Sequence, residues 1–460
     1  MSAIPRLEAD VVIVGAGLAG LSAADALARK GKRVLVLEAR RRVGGRTFGQ
    51  EIGGRVLDLG GQWLGAGQRR LARLAAELGV ETFPTYHSGR KILMRDGHVS
   101  TYAGTIPALP VPSLVSLHLA LRKVDALAAR LPEGRPLAAA EAMSWDDETL
   151  ETVAQRLATR GDVRDLFDLA VRVVFGAEPR EISMLYFLAY VRAGGGFMRL
   201  LEIESGAQER RFVGSAQELS NRLAARLGDA VLLDSPARRI EQDGGGVAVH
   251  SDDVCVQAKY AIVAVPPALA GRIEYRPLLP VVRDQLTQRM PMGSTVKCIA
   301  VYDRPFWREA GLSGEAVTTT GPLSVVFDNG SHDGAVHSLL GFIVGQKARL
   351  FSERPAEERR AVVLGSLGRM FGERALRPVE YVEHDWSAEE WTRGCPVGVL
   401  GPGAMTGVGR ALRDPVGRIH WAGTETATEW TGYMEGALQS GERAAAEVEA
   451  KLEGGAPRAT

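Results

Sequence analysis

The run Asp10-Val-Val-Ile-Val14 is apolar, short and closed by glycine, which predicts a strand rather than a buried helix. Leu18 to Arg29 follows with alanines and leucines at helical spacing, and Arg33 to Leu37 is a second apolar run. The opening of the chain therefore reads as strand, helix, strand. Between Gly89 and Glu204 the pattern changes to long Ala-, Leu- and Arg-rich helical segments, broken at Pro107 to Pro112 and at Gly194 to Gly196. Strand-like alternation returns at Ala230 to Leu233, Gly246 to His250, Tyr260 to Val265, Val296 to Tyr302 and Ser324 to Phe327. These shifts predict an α/β fold with a discontinuous, Rossmann-like nucleotide domain over 5–83, 213–288 and 392–455. An α+β substrate-binding domain over 84–212 and 289–391 is expected to be inserted into it twice.

With 460 residues the chain can bury a core large enough for two domains. Its 56 Lys plus Arg nearly balance its 55 Asp plus Glu, so bulk charge supplies no reason to expect nucleic acid or a charged membrane as partner. Met1 to Glu8 lack the basic start and apolar run of a secretory signal, and no apolar stretch reaches the roughly 18 to 20 residues needed to span a bilayer. Cys255, Cys298 and Cys395 are too few and too scattered for a disulfide framework, which fits a cytoplasmic location. The histidines, from His87 to His420, show no metal-ligand spacing with cysteines or carboxylates, so no metal is expected.

Gly15, Gly17 and Gly20 have the spacing that permits a tight turn, close approach of backbone to a pyrophosphate, and close helix packing. Glu38 ends the second strand about twenty residues on, where a carboxylate accepts from ribose hydroxyls and repels a 2′-phosphate. This excludes NADP more firmly than it separates NAD from FAD. The separation comes from the segment after Glu38, in which Arg40 is followed by Gly44-Gly45-Arg46-Thr47. Here the sequence resembles the flavin monoamine oxidase family, whose members carry such a Gly-Gly-Arg segment along the FAD pyrophosphate. A guanidinium at Arg46 has a physical reason to be there, since it neutralises and bridges phosphate oxygens.

The resemblance extends from about Ala9 to Val448. Leu59-Gly60-Gly61-Gln62-Trp63 is similar to the family's flavin-side loop, Gln208 to Gly214 to the segment returning from the substrate lobe, and Ser235-Pro236-Ala237 to the turn whose backbone meets adenine. Ala422-Gly423-Thr424-Glu425-Thr426 through Gly432-Tyr433-Met434-Glu435-Gly436 is similar to the C-terminal signature. The resemblance implies a Rossmann-like FAD-binding domain, with these residues and Trp386 around the cofactor. It gives Lys297, a lone lysine in the apolar run Gly293 to Ile299, the role of holding a water against flavin N5. Tyr433 becomes an aromatic wall that guides the amine. Cys395 aligns with the cysteine that carries FAD as a thioether in part of the family; the other reading is a buried, unreactive thiol. The next residue is usually a tyrosine, the second wall of an aromatic cage, and here it is Pro396. Leu201, Gln208 and Phe327 are candidates for the substrate cavity wall.

The activity implied is oxidation of an amine to an imine, which hydrolyses to an aldehyde or ketone, with oxygen reduced to hydrogen peroxide. Amino-acid oxidases related to the family commonly place a Gly-Pro-Met-Arg segment where this chain has Gly60-Gly-Gln-Trp63. The missing arginine favours an amine without an α-carboxylate. An L-amino-acid oxidase, a polyamine oxidase and a flavin desaturase acting on a carbon-carbon bond are the alternatives. The partners expected are a small-molecule amine, oxygen as acceptor and, as one arrangement, a second copy in a homodimer.

Overall fold

The computed structural model describes residues 5–107 and 109–454; residue 455 of the expected nucleotide-domain span, and Met1 to Ile4 of the opening segment, lie outside them. A five-stranded, wholly parallel sheet runs in the order Val231–Leu232, Val34–Leu37, Val11–Val14, Tyr260–Val263, Ile419–Trp421. Start, centre and end of the chain thus contribute to one sheet. Its central strand is buried at every position, as a parallel sheet covered on both faces requires. Because all five strands point the same way, the glycine turn after Val14, Glu38 after Leu37, Ala264 after Val263 and Ala422-Gly423 after Trp421 emerge along one edge. That edge is where ligands of open α/β sheets bind.

The helix Leu18–Ala28 covers one face of this sheet together with the long C-terminal helix Met434–Gly454. The two helices touch closely, for a Cβ on Gly441 would stand 2.3 Å from the carbonyl oxygen of Ala19. A second five-stranded sheet, Arg6–Glu8, Cys255–Ala258, Val247–His250, Arg239–Gln242 and Glu274–Arg276, closes the opposite side.

A seven-stranded sheet forms the floor of the other half, in the order Glu380–Asp385, Thr295–Tyr302, His337–Val344, Val325–Asp328, Leu312–Thr318, Arg90–Arg95, His98–Tyr102. Its last two strands differ from the sequence reading, which took the chain from Gly89 as helical. Arg90–Arg95 and His98–Tyr102 are an antiparallel hairpin turned at Asp96-Gly97, both with positive φ (51° and 80°). Asp-Gly is the dipeptide that this kind of two-residue turn selects. The helical part begins at Val111 and packs the segments Val111–Ala129, Leu150–Leu157, Gly161–Phe175 and Met184–Gly194 around Phe167, Phe175, Phe187 and Phe197. Thr149 and Ser183 cap two of these helices, accepting from the amides of Thr152 and Tyr186.

Candidate active site

A cavity of about 430 Å³ begins at the edge of the parallel sheet and ends against the seven-stranded sheet and the helices. At the sheet end it is lined by Gly15, Gly17, Glu38, Arg40, Gly44, Gly45, Ala237 and Gly423. Gly20 lies behind this wall. A Cβ there would stand 1.9 Å from the Gly15 carbonyl oxygen, so only glycine lets the helix start so close to the turn. Glu38 is 3 % exposed, and its carboxylate accepts from the amides of Ala16 (2.7 Å) and Arg40 (3.0 Å). Arg40 is held in turn by Glu389, at 3.2 and 3.3 Å. The carboxylate is thereby fixed at the strand end with oxygen lone pairs to spare for hydroxyl donors.

Small residues, a fixed acid and an elongated, mostly apolar cleft fit an FAD. Gly44 and Gly45 would lie along its phosphates, with Glu38 at the ribose and Ala237 at the adenine end. Arg46 lines the cavity beside Gly44 and Gly45, and its guanidinium is paired within the protein: its Nη atoms donate to both oxygens of Glu425, at 2.6 and 3.0 Å, and to the Pro396 carbonyl at 2.7 Å. Glu425 is 2 % exposed and lies behind the cavity instead of on its wall. Burial alone would raise the Glu425 pKa, but the Arg46 charge and hydrogen bonds outweigh it and hold the carboxyl below its usual range. A buried carboxylate of this kind is stable only with such a partner, which sequence spacing across 379 residues does not reveal.

The other end is built around Lys297, 1 % exposed on the strand Thr295–Tyr302. Its Nζ donates to the Gly60 carbonyl (2.9 Å) and to Gln62 Oε1 (2.5 Å). Burial lowers its proton affinity, partly offset by the buried carboxylate Asp58, whose own pKa is raised by burial. Trp63 packs its ring edge-on to Phe327 at 5.3 Å and lies 5.9 Å from Lys297 Nζ. Trp386 is 1 % exposed and donates from its indole to the Leu59 carbonyl at 2.9 Å. Cys395 and Pro396 line the cavity opposite, and burial pushes the Cys395 thiol up to about 11. Met434 and Thr424 complete this side, Thr424 donating to the Tyr433 carbonyl at 2.8 Å. Gly61 also belongs to the wall.

Tyr433 donates to the Leu200 carbonyl at 3.4 Å, and Gln208 Nε2 donates to the same oxygen at 3.1 Å. Gln208, Phe327 and Leu200 line the cavity, whereas Leu201 does not and packs against the helical core. The reason is local. Met198–Leu200 is a 3₁₀ turn, in which neighbouring side chains point about 120° apart, so a one-residue shift exchanges wall for core. Sequence reasoning also missed Tyr190. It is 3 % exposed, its ring centre is 6.2 Å from that of Tyr433, and it lines the same cavity. A Cβ on Gly432 would stand 2.0 Å from the Tyr190 hydroxyl, so the glycine before Tyr433 makes room for this second aromatic ring. Nothing near Tyr190 in the sequence marks it. Phe342 carried a findable signal, since it is the cross-strand partner of Lys297.

A nucleotide cleft at the edge of a parallel sheet, continuous with an apolar, aromatic chamber around a buried lysine, defines a flavoprotein oxidoreductase. The family model described as flavin containing amine oxidoreductase matches residues 18–449. The chain is 42 % identical over 446 residues to a probable flavin-containing monoamine oxidase A of Dictyostelium discoideum, spanning 96 % of this chain and 98 % of that one. It is 39 % identical over 449 residues to amine oxidase (flavin-containing) B of Sus scrofa, spanning 96 % and 86 %. Among solved structures, cyclohexylamine oxidase from Brevibacterium oxydans IH-35A superposes with a TM-score of 0.93 at 35 % identity over 97 % of this chain and 99 % of that one. Putrescine oxidase bound to putrescine superposes with a TM-score of 0.94 at 36 % identity over 97 % and 100 %. This chain belongs to the flavin-containing amine oxidoreductase family. It is an FAD-dependent amine oxidase of α/β fold. Among the described residues no helix is long and apolar enough to cross a membrane.

Proposed function

We propose that the substrate is a small, largely apolar amine without an α-carboxylate, and that oxygen is the electron acceptor, leaving as hydrogen peroxide. The observation that carries this reading is the charge balance of the cavity wall. Glu38 and Glu390 are its carboxylates, and both lie toward the nucleotide end. Arg46, the arginine beside Pro396, is already neutralised by Glu425. Around Tyr190, Tyr433 and Phe327 the polar handles are amides and hydroxyls, and the cation at this end, Lys297, is 1 % exposed and held at the inner wall by the Gly60 carbonyl and Gln62. Among the described residues an amino acid's carboxylate would find no unpaired arginine there, and the second ammonium of a diamine no carboxylate. The putrescine-bound relative therefore argues for the fold and for amine chemistry more than for putrescine as the substrate of this chain.

When bound, the flavin accepts a hydride equivalent from the carbon next to nitrogen. Tyr433 and Tyr190 exclude water and offer ring faces to the entering ammonium. Lys297, at the inner end of the chamber, holds a water against flavin N5 as the proton donor in this reading. The imine that leaves hydrolyses to an aldehyde or ketone. Peroxide release from an aryl-alkyl or cycloalkyl monoamine, measured beside putrescine and an L-amino acid, tests the assignment. The monoamine is expected to give the highest kcat/KM, and preference for either of the other two would overturn the reading.

Cys395 is the cysteine on the cavity wall, while Cys255 and Cys298 are buried elsewhere. We propose that it carries the FAD as a thioether. Burial outweighs the coulombic pull of Arg46 and Lys297 and keeps the free Cys395 a thiol, so the reading rests on its place on the cavity wall. Precipitation of the purified protein in acid is expected to leave the yellow colour in the pellet. Colour in the supernatant would mean that the thiol is an ordinary buried cysteine.

A further inference from the structure

The lysine at the inner end of the chamber is held by a neutral partner, and that choice has a chemical effect. Lys297 Nζ has two acceptors, the Gly60 carbonyl at 2.9 Å and Gln62 Oε1 at 2.5 Å. Gln62 is itself 1 % exposed, and its amide faces one way for a structural reason. Its Nε2 donates to Asn329 Oδ1 at 3.4 Å, Asn329 Nδ2 donates to Ser338 Oγ at 3.3 Å, and Ser338 Oγ donates back to the Asn329 carbonyl at 2.9 Å. With Nε2 engaged by this chain, Oε1 is left toward the lysine. The third Nζ position has no partner among the described residues, and Lys297 lines the cavity.

No carboxylate makes an ion pair with Lys297 among the described residues. Asp58 acts on it through space and instead accepts from the Ala216 amide at 3.0 Å. The other charged or titratable groups around Lys297 are Arg211, which opposes its charge, Cys395 across the cavity, and His384, its cross-strand partner. An amide oxygen accepts a hydrogen bond from the ammonium and also from the neutral amine, whereas a carboxylate in the same place would hold the proton permanently.

We propose that Gln62 is the positioning residue of the reaction: it aims Lys297 into the cavity and, being neutral, leaves it free to change its protonation state during turnover. This rests on the proposed role of Lys297. The pH dependence of flavin reoxidation would then be set at the Lys297–Gln62 pair, because oxygen takes up two electrons and two protons to become hydrogen peroxide.

The test is a titration. Holoenzyme carrying lysine enriched in ¹³C at Cε is titrated by NMR, with the Lys297 resonance assigned by its loss in Lys297→Met. Gln62→Glu, which is nearly isosteric, is expected to raise the Lys297 midpoint by about one pH unit or more, since one unit corresponds to a tenfold change in proton affinity. Gln62→Leu, which removes the acceptor, is expected to lower it. The pH profile of reoxidation by oxygen, followed by stopped flow through the flavin absorbance, moves in the same two directions. Midpoints unchanged in both variants would overturn the inference and leave Gln62 a packing residue. Should Lys297→Met reoxidise at the wild-type rate, the underlying role of Lys297 fails instead, so the two failures are separable. Thermal unfolding of Gln62→Glu within a few degrees of wild type shows that the shift is not a loss of fold.

Discussion

Lys297→Met slows reoxidation of the reduced flavin by oxygen about 10²- to 10⁴-fold, the range over which a positioned proton donor contributes, while anaerobic reduction by amine changes far less. Methionine keeps most of the volume and removes the charge. The side chain is 1 % exposed and sits 5.7 Å from the Phe342 ring and 5.9 Å from the Trp63 ring, so a thioether packs there at little cost. The protein is therefore expected to fold and bind FAD as well as wild type, or to become slightly more stable, because a desolvated ammonium is gone. Stopped-flow absorbance separates the two half-reactions. Equal slowing of both would place Lys297 in general packing of the chamber.

Glu425→Ala destabilises the protein by about 3–5 kcal/mol, the usual result of leaving one member of a buried pair without its partner. Arg46 would keep its hydrogen bond to the Pro396 carbonyl but lose both carboxylate oxygens. The loss depends on pH with a definite sign. Burial raises the Glu425 pKa, the Arg46 charge lowers it further than burial raises it, and the folded value lies below the unfolded one. The stabilisation is then complete above the ordinary carboxylate range and declines as pH falls through the folded value. Denaturant unfolding of wild type and Glu425→Ala is expected to show a gap that narrows in acid. The double replacement Arg46→Met, Glu425→Leu is expected to recover much of the loss, since two apolar side chains leave no charge uncompensated. A gap independent of pH would remove the ion pair as its cause.

The glycine turn and Glu38 were legible in the sequence because backbone geometry demands those residue types at those offsets, whatever the rest of the chain does. Lys297 stood out because an ammonium in an apolar strand is costly and requires a reason. What stayed hidden depends on contacts between distant segments. Spacing shows neither that Glu425 takes the guanidinium of Arg46 nor that Tyr190 comes to lie beside Tyr433. Leu201 was misread for Leu200 because hydrophobicity does not fix the phase of a 3₁₀ turn. The hairpin at Asp96-Gly97 is a different case. Its turn signal was present in the residues and was outweighed by the helical pattern that follows it.

The order of strands in the parallel sheet also governs how the protein can be made. Ile419–Trp421 is the last strand of this sheet to be synthesised and docks beside Tyr260–Val263, made more than 150 residues earlier. Until it arrives, Tyr260–Val263 presents an open, apolar edge, the kind of edge that recruits other strands. At about 5–20 residues per second that exposure lasts on the order of ten seconds on the ribosome. Cofactor capture is correspondingly late, because Gly423, Tyr433 and Met434 all follow that strand. Messages lacking codons for this region should therefore yield colourless, aggregation-prone chains, not weak enzymes.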